Sequence, residues 1–210
     1  MENYPFDTVG LNTETIDRFY DTYKALKEKF NIQLTGHIDF QLEQFEVFKN
    51  CLDVKVKGSY VIKHDRGDSY ILFVEVHYKL KSMYYNAAIQ SNDLLEYQVW
   101  GLTYVKQNFG RVLIRRETLT DKILELVHPL ELDFKEDKAF SDTFYVVVND
   151  HIKAGLCMDR NFRNAVMDIR DNDFMIEVVD HTLIIGNYDP IVAEKSIHIG
   201  EFVARVAEGC

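Results

Sequence analysis

Residues 54–79, VKVKGSYVIKHDRGDSYILFVEVHYK, decide the fold. Through residue 62 the apolar side chains recur at every second position. Val54, Val56, Tyr60 and Ile62 fall on one face, and Lys55, Lys57, Ser59 and Lys63 fall mostly on the other, as in a strand with one buried face. After a polar break the alternation resumes, with Tyr70, Leu72, Val74, Val76 and Tyr78 on one side and Glu75, His77 and Lys79 on the other. The break itself holds Asp65, Gly67, Asp68 and Ser69, residues that tolerate a reversed backbone or hydrogen-bond it locally, so the whole stretch reads as a β-hairpin. Arg66-Gly67-Asp68 is the tripeptide that extracellular adhesion ligands present to integrins. Here Gly67 serves the turn and its neighbours are the polar tip.

Working outward toward the N-terminus, Ile16, Phe19, Tyr20, Tyr23, Leu26 and Phe30 follow helical spacing. Glu14 and Asp17 lie near the start and Lys24, Lys27 and Lys29 near the end, as the helix dipole favours, and Asn12 or Thr13 can supply the cap. Toward the C-terminus, VWGLTYV and RVLIRR read as strands and Thr120 can cap a short helix over 121–127. TFYVVV reads as a buried strand, Asp159 can cap a helix carrying Phe162, Val166 and Ile169, and two β-branched runs flank Asp180-His181 in another hairpin. Ser196 can cap a final helix with Phe202, Val203 and Val206 on its apolar stripe. Strands and helices are segregated rather than regularly alternating, so the expectation is an α+β protein. It has an N-terminal amphipathic helix, one or two mainly antiparallel sheets of hairpins over about 33–117 and 142–187, and two or three further helices on one face. The chain is expected to be one α+β domain over residues 1–210, with a division near Pro129 into lobes 1–129 and 130–210 as the alternative.

At 210 residues with 47% hydrophobic content the chain can bury a core without metal or disulfide support. A formal net charge of −10 opposes nucleic-acid binding, which rests on neutralising phosphates. No apolar run approaches the ~18 residues of a membrane span, so no direct membrane insertion is expected. The first residues, MENYPFDTVGLN, show neither a basic start nor an apolar stretch, and three cysteines, Cys51, Cys157 and Cys210, make poor material for a disulfide framework. Both point to a cytoplasmic chain.

Chemistry-bearing motifs are sparse. The sequence has no HExxH, no Cys-x-x-Cys and no phosphate-binding glycine loop, and neither a metal nor a cofactor is expected. Asp65 with Asp68, and Asp171 with Asp173, read as turn residues. Glu75 and His77 stand two apart on a strand and so share a face, a geometry available to a metal or a general base and equally to a solvated sheet face. Trp100, with Tyr97, Leu102 and Tyr104, can line an apolar groove that serves as a partner surface, or a core.

The succession YILFVEVHYKLKS, WGLTYVKQNFGRVLI, AFSDTFYVVVNDHIKAGLCMDRNFRNAVMDI and FMIEVVDHTLII resembles, over about residues 54–206, a bacterial family catalogued as domain of unknown function 3137. Glu75-Val76-His77 match its first motif, Gly101-Leu102 its second, and Phe144, Val146, Asp150, Ala154 and Phe162 its third. The chain departs from it at Val148-Asn149, at 153–156 and at Arg160-Asn161. The family has no established activity, and members with membrane-spanning segments imply a soluble part of a membrane-associated assembly. The leading expectation is a non-catalytic module that binds a protein or small molecule, with homo-oligomerisation left open. The alternative is an enzyme using Glu75 and His77.

Overall fold

The N-terminal periodicity becomes helix α1, Thr13–Phe30, in the computed structural model, which describes residues 4–36, 38–79, 93–116 and 130–209. Asn12 caps it, its Oδ1 accepting the Thr15 N–H at 2.9 Å. Glu14 in the first turn and Lys27 and Lys29 in the last complement the dipole, and Asn31 ends the helix in the left-handed region at φ 50°. The helix anticipated over 121–127, together with His37, His128 and Cys210, lies outside the described residues.

Among the described residues the alternating runs form nine strands: β1 (Gln33–Leu34), β2 (Cys51–Ile62), β3 (Ser69–Lys79), β4 (Asp93–Tyr104), β5 (Arg111–Arg116), β6 (Leu130–Glu131), β7 (Phe144–Val148), β8 (Met175–Val179) and β9 (Thr182–Gly186). They join into one antiparallel sheet in the order β1-β2-β3-β4-β9-β8-β5-β7-β6. Strands from before and after residue 129 alternate in it, since β4 pairs β9 and β5 sits between β8 and β7, so lobes divided near 129 would share this sheet.

Among the described residues four further helices follow α1: α2 (Lys138–Ser141), α3 (His151–Cys157), α4 (Arg160–Met167) and α5 (Ala193–Gly209). Phe19, Phe140, Ala154, Phe162 and Val203, one from each helix, enter a single core with Phe73, Val99 and Ile185 of the sheet, which gives the α+β layering read from the sequence. Two glycines set the spacing. A Cβ at Gly101 would lie 2.6 Å from Ile199 Cγ2, and one at Gly200 would lie 2.6 Å from the Phe30 ring, so α5 approaches both β4 and α1 closely. The opposite face of the sheet is covered in its middle by residues 38–48, a strap with two 3-10 turns (Leu42–Gln44 and Glu46–Phe48) whose Phe45, Val47 and Phe48 pack with Leu72, Trp100 and Ile184.

Two expectations are corrected. Val54, Val56, Tyr60 and Ile62 do not share a face, because Val56 pairs Val74 while Gly58 pairs Phe73, leaving Lys57 as the extra residue of a bulge. Past the bulge Tyr60 and Ile62 turn into the helix-covered core, whereas Val54 stays with the strap side, the one-residue slip that reverses a strand. Ser196 is no cap. It lies buried inside α5 and its Oγ donates to the Val192 carbonyl at 2.8 Å. Residues 63–68 join β2 to β3 as anticipated, with Lys63 on Asp68 at 2.9 Å and Arg66 donating to the Glu208 carbonyl of α5 at 3.1 Å.

Candidate functional site

On β3, Glu75 and His77 leave the helix-covered face together, and His77 Nε2 lies 3.2 Å from Glu75 Oε1. Glu75 is only 7% exposed. Lys55 stands opposite it in register and the bulge turns Lys57 toward it, each ammonium 4.0 Å from the carboxylate. Lys57 also donates to Asp7 Oδ2 at 2.6 Å and to the Val9 carbonyl at 2.7 Å, which ties the N-terminal segment to the sheet. The Lys57 ammonium holds the Asp7 carboxyl below the usual carboxylate range. Tyr97, cross-strand from Glu75, has its hydroxyl pushed up by burial and then by the Glu75 charge. The pair read from the sequence is thus joined by Lys57 and Asp7, from a bulge and a distant segment that no periodicity marks.

The aromatic trio does not come together. Trp100 is fully buried under the strap, its Nε1 donating to Gln98 Oε1 at 3.0 Å and its ring 4.9 Å from Phe48 and 6.3 Å from Tyr188. Tyr104 emerges from the same face but is exposed, edge-on to Tyr70 at 6.3 Å. Tyr97 projects from the opposite face, against Phe19 at 5.7 Å.

A second carboxylate escaped the sequence reading. Glu177, in the middle of β8, is fully buried on the strap side. Its Oε2 accepts the Val47 N–H at 3.2 Å and its Oε1 accepts from Arg111 Nη1 at 3.0 Å. Arg111 also donates to the Gln44 carbonyl at 2.9 Å and lies 3.4 Å from Glu46, which Lys49 pairs from outside. Burial pushes the Glu177 carboxyl above the ordinary range, against the pull of the Glu46 and Val47 amides and Arg111. The arrangement clamps strap to sheet. Its one signal in the sequence is an acid flanked by apolar β-branched residues, MIEVV.

An open concavity lies elsewhere. β9 ends at Gly186 opposite Trp100, so the residues of β4 before Trp100 have no strand on that side among the described residues. Residues 187–192 cross this edge instead, with the Ile191 N–H on the Tyr97 carbonyl at 3.2 Å. Between the crossing and α1 a cleft of about 200 Å³, reaching Phe19, Glu96 and Tyr97, adjoins one of about 560 Å³, reaching Asp21, Asp189 and Lys195. Arg18, Pro190 and Ile191 line both, so the two form one groove. Its charges are of both signs and its floor is apolar, which suits recognition by a polar rim around an apolar centre. Among the described residues no cluster of three or more His, Cys, Asp or Glu is placed to hold a metal ion, and no helix is long and apolar enough to cross a membrane.

The chain matches no protein-family model and no curated protein. A likeness does appear among solved structures. The crystal structure of the mycobacterial trehalose monomycolate transport factor A, TtfA, superposes with a TM-score of 0.56 at 10% identity, covering 90% of this chain and 92% of that one. At that identity the likeness is one of fold.

Proposed function

We propose that the chain is a non-catalytic binding module, the accessory part of a larger assembly, and that its docking surface is the groove between α1 and residues 187–195. The groove carries this reading. An apolar floor and charges of both signs meet there beside a stretch of β4 edge that no strand covers among the described residues, whereas Glu75 is engaged by its own chain's lysines. The shared fold with a protein named as a transport factor supports an assembly role, as does the resemblance to the domain of unknown function 3137 family. In this reading the module is a cytoplasmic bacterial protein that reaches any membrane through its partner. A photo-crosslinking amino acid placed at Arg18, in cells that express the chain natively, is expected to give one discrete adduct. The same group at Arg170, in a separate cleft between α4 and α5, is expected to give none. Equal labelling at both positions, or none at Arg18, would remove the groove as the docking surface.

One contact favours a second reading as an enzyme. His77 touches Glu75 at 3.2 Å and is itself about one-third exposed, the placement of an acid–base pair. Zinc-dependent thermal stabilisation that disappears in His77→Ala would support that reading over the first, because a ligand that binds the folded state alone raises its stability.

A further inference from the structure

Among the described residues nothing pairs the outer edge of β2 along part of its length. β1 covers only Tyr60 and Val61, and the Asp7 and Thr35 amides satisfy the Lys57 and Ser59 carbonyls. From residue 52 to 56 no backbone group of the described residues bonds β2 on the side away from β3, and the Val54 N–H turns to the Asp53 carboxylate at 3.0 Å. Exposed apolar side chains line this edge: Leu34 at 61%, Leu52 at 55% and Val56 at 37%. A cleft of about 380 Å³, lined by Phe6, Leu34, Ile38 and Val56 among others, opens at the end of the free stretch. An unpaired, apolar strand edge is a template for another strand.

We propose that two copies of this chain pair antiparallel through the β2 edge, about a two-fold axis at Val54, to make one continuous sheet. The sequence is self-complementary in that register. Asp53 stands opposite the partner's Lys55, Lys55 opposite the partner's Asp53, and Leu52 opposite the partner's Val56, at the mouth of the partner's cleft. Moving the axis by one residue sets Lys55 against Lys55 or Asp53 against Asp53, so charge selects a single alignment. A lysine and bulges are also the common protections of an edge, and β2 has Lys55 with bulges at 51–53 and 56–58. Here, however, Lys55 already lies 2.9 Å from Asp53 of its own strand, so an approaching copy meets a matched pair of charges rather than a lone repulsive one.

Light scattering coupled to gel filtration of the full chain is expected to give twice the monomer mass, with the dimer fraction rising with concentration. Lys55→Asp places two like-charge pairs across the axis and is expected to weaken self-association by about tenfold or more. The swap Asp53→Lys with Lys55→Asp rebuilds both pairs in reverse and is expected to restore the dimer. A monomeric wild type, a Lys55→Asp dimer as tight as wild type, or a swap that stays monomeric while keeping the wild-type near-ultraviolet circular dichroism would each overturn the proposal. Amide exchange on the unmodified chain gives an independent reading. Residues 54 and 56 are expected to gain protection as the protein is concentrated, and protection gained at another surface instead would place the interface elsewhere.

Discussion

Glu75 and Glu177 are both strand carboxylates with cationic partners, yet they do different work. Glu177 is fully buried and bonded by Arg111 and the amide of Val47, so its charge is spent on holding residues 38–48 against the sheet. Glu75, on the opposite face, is also buried at 7% exposure, but its lysine partners stay at 4.0 Å and His77 comes nearer. Lys55 and Lys57 are each held closer by another carboxylate, Asp53 at 2.9 Å and Asp7 at 2.6 Å, whereas Arg111 bonds Glu177 directly at 3.0 Å. How fully the partner is committed therefore matters more than depth. The conspicuous pair in the sequence is the less committed one in the fold.

The strongest way to break this comparison is Arg111→Met, which leaves Glu177 buried without its cation and is expected to cost roughly 3–5 kcal/mol in denaturant unfolding. A loss below about 1 kcal/mol would put Glu177 on the same footing as Glu75. Lys57→Met comes next, removing the bonds to Asp7 and Val9, with an expected cost of about 1.5–3 kcal/mol and faster proteolysis of the N-terminal segment. The two clamps also differ in the sign of their pH dependence. The folded Glu177 carboxyl titrates above its unfolded range, so its contribution is complete at low pH and lost as pH rises through the folded value. The stability advantage of wild type over Glu177→Gln is expected to shrink across that rise. Asp7 titrates below its unfolded range. Its contribution is present above that range and lost as pH falls, so the advantage over Asp7→Asn is expected to shrink toward acid. Denaturation series at stepped pH read both, and slopes of the same sign would contradict the contrast. His77→Ala is the mildest change, about 0.2–1 kcal/mol, since the ring is partly in solvent and its contact is to Glu75 on the same face of its own strand.

Legibility followed how local each signal was. α1 and the β2–β3 hairpin could be read because spacing, cap and turn residues all lie within a few positions of one another. The phase of β2 could not, because a bulge is one extra residue opposite a strand far along the chain, and the alternating lysines look the same with or without it. Glu75 and His77 were found by their two-residue spacing, but Lys57 and Asp7 were not, since the contact joins residues 50 apart in sequence. The Tyr97, Trp100 and Tyr104 grouping arose from nearness along β4, where odd and even positions face opposite ways. The groove has the same origin as these misses. It is made by α1, one strand edge and a crossing near residue 190, three segments that the sequence gives no reason to join.

The close seat of α1 on α5 bears on how the chain is built during synthesis. Phe30 rests against Gly200, and Lys29 meets Glu201 at 2.8 Å, so a helix completed within the first 30 residues finds its neighbour only after some 160 more have been made. The central strand β4 waits likewise for β9. A ribosome adding roughly 5–20 residues per second leaves Phe19 and Leu26 without their final cover for many seconds. During that interval the nascent chain carries an apolar helix face without its final cover, the kind of transient exposure that favours aggregation, and only the making of α5 closes it.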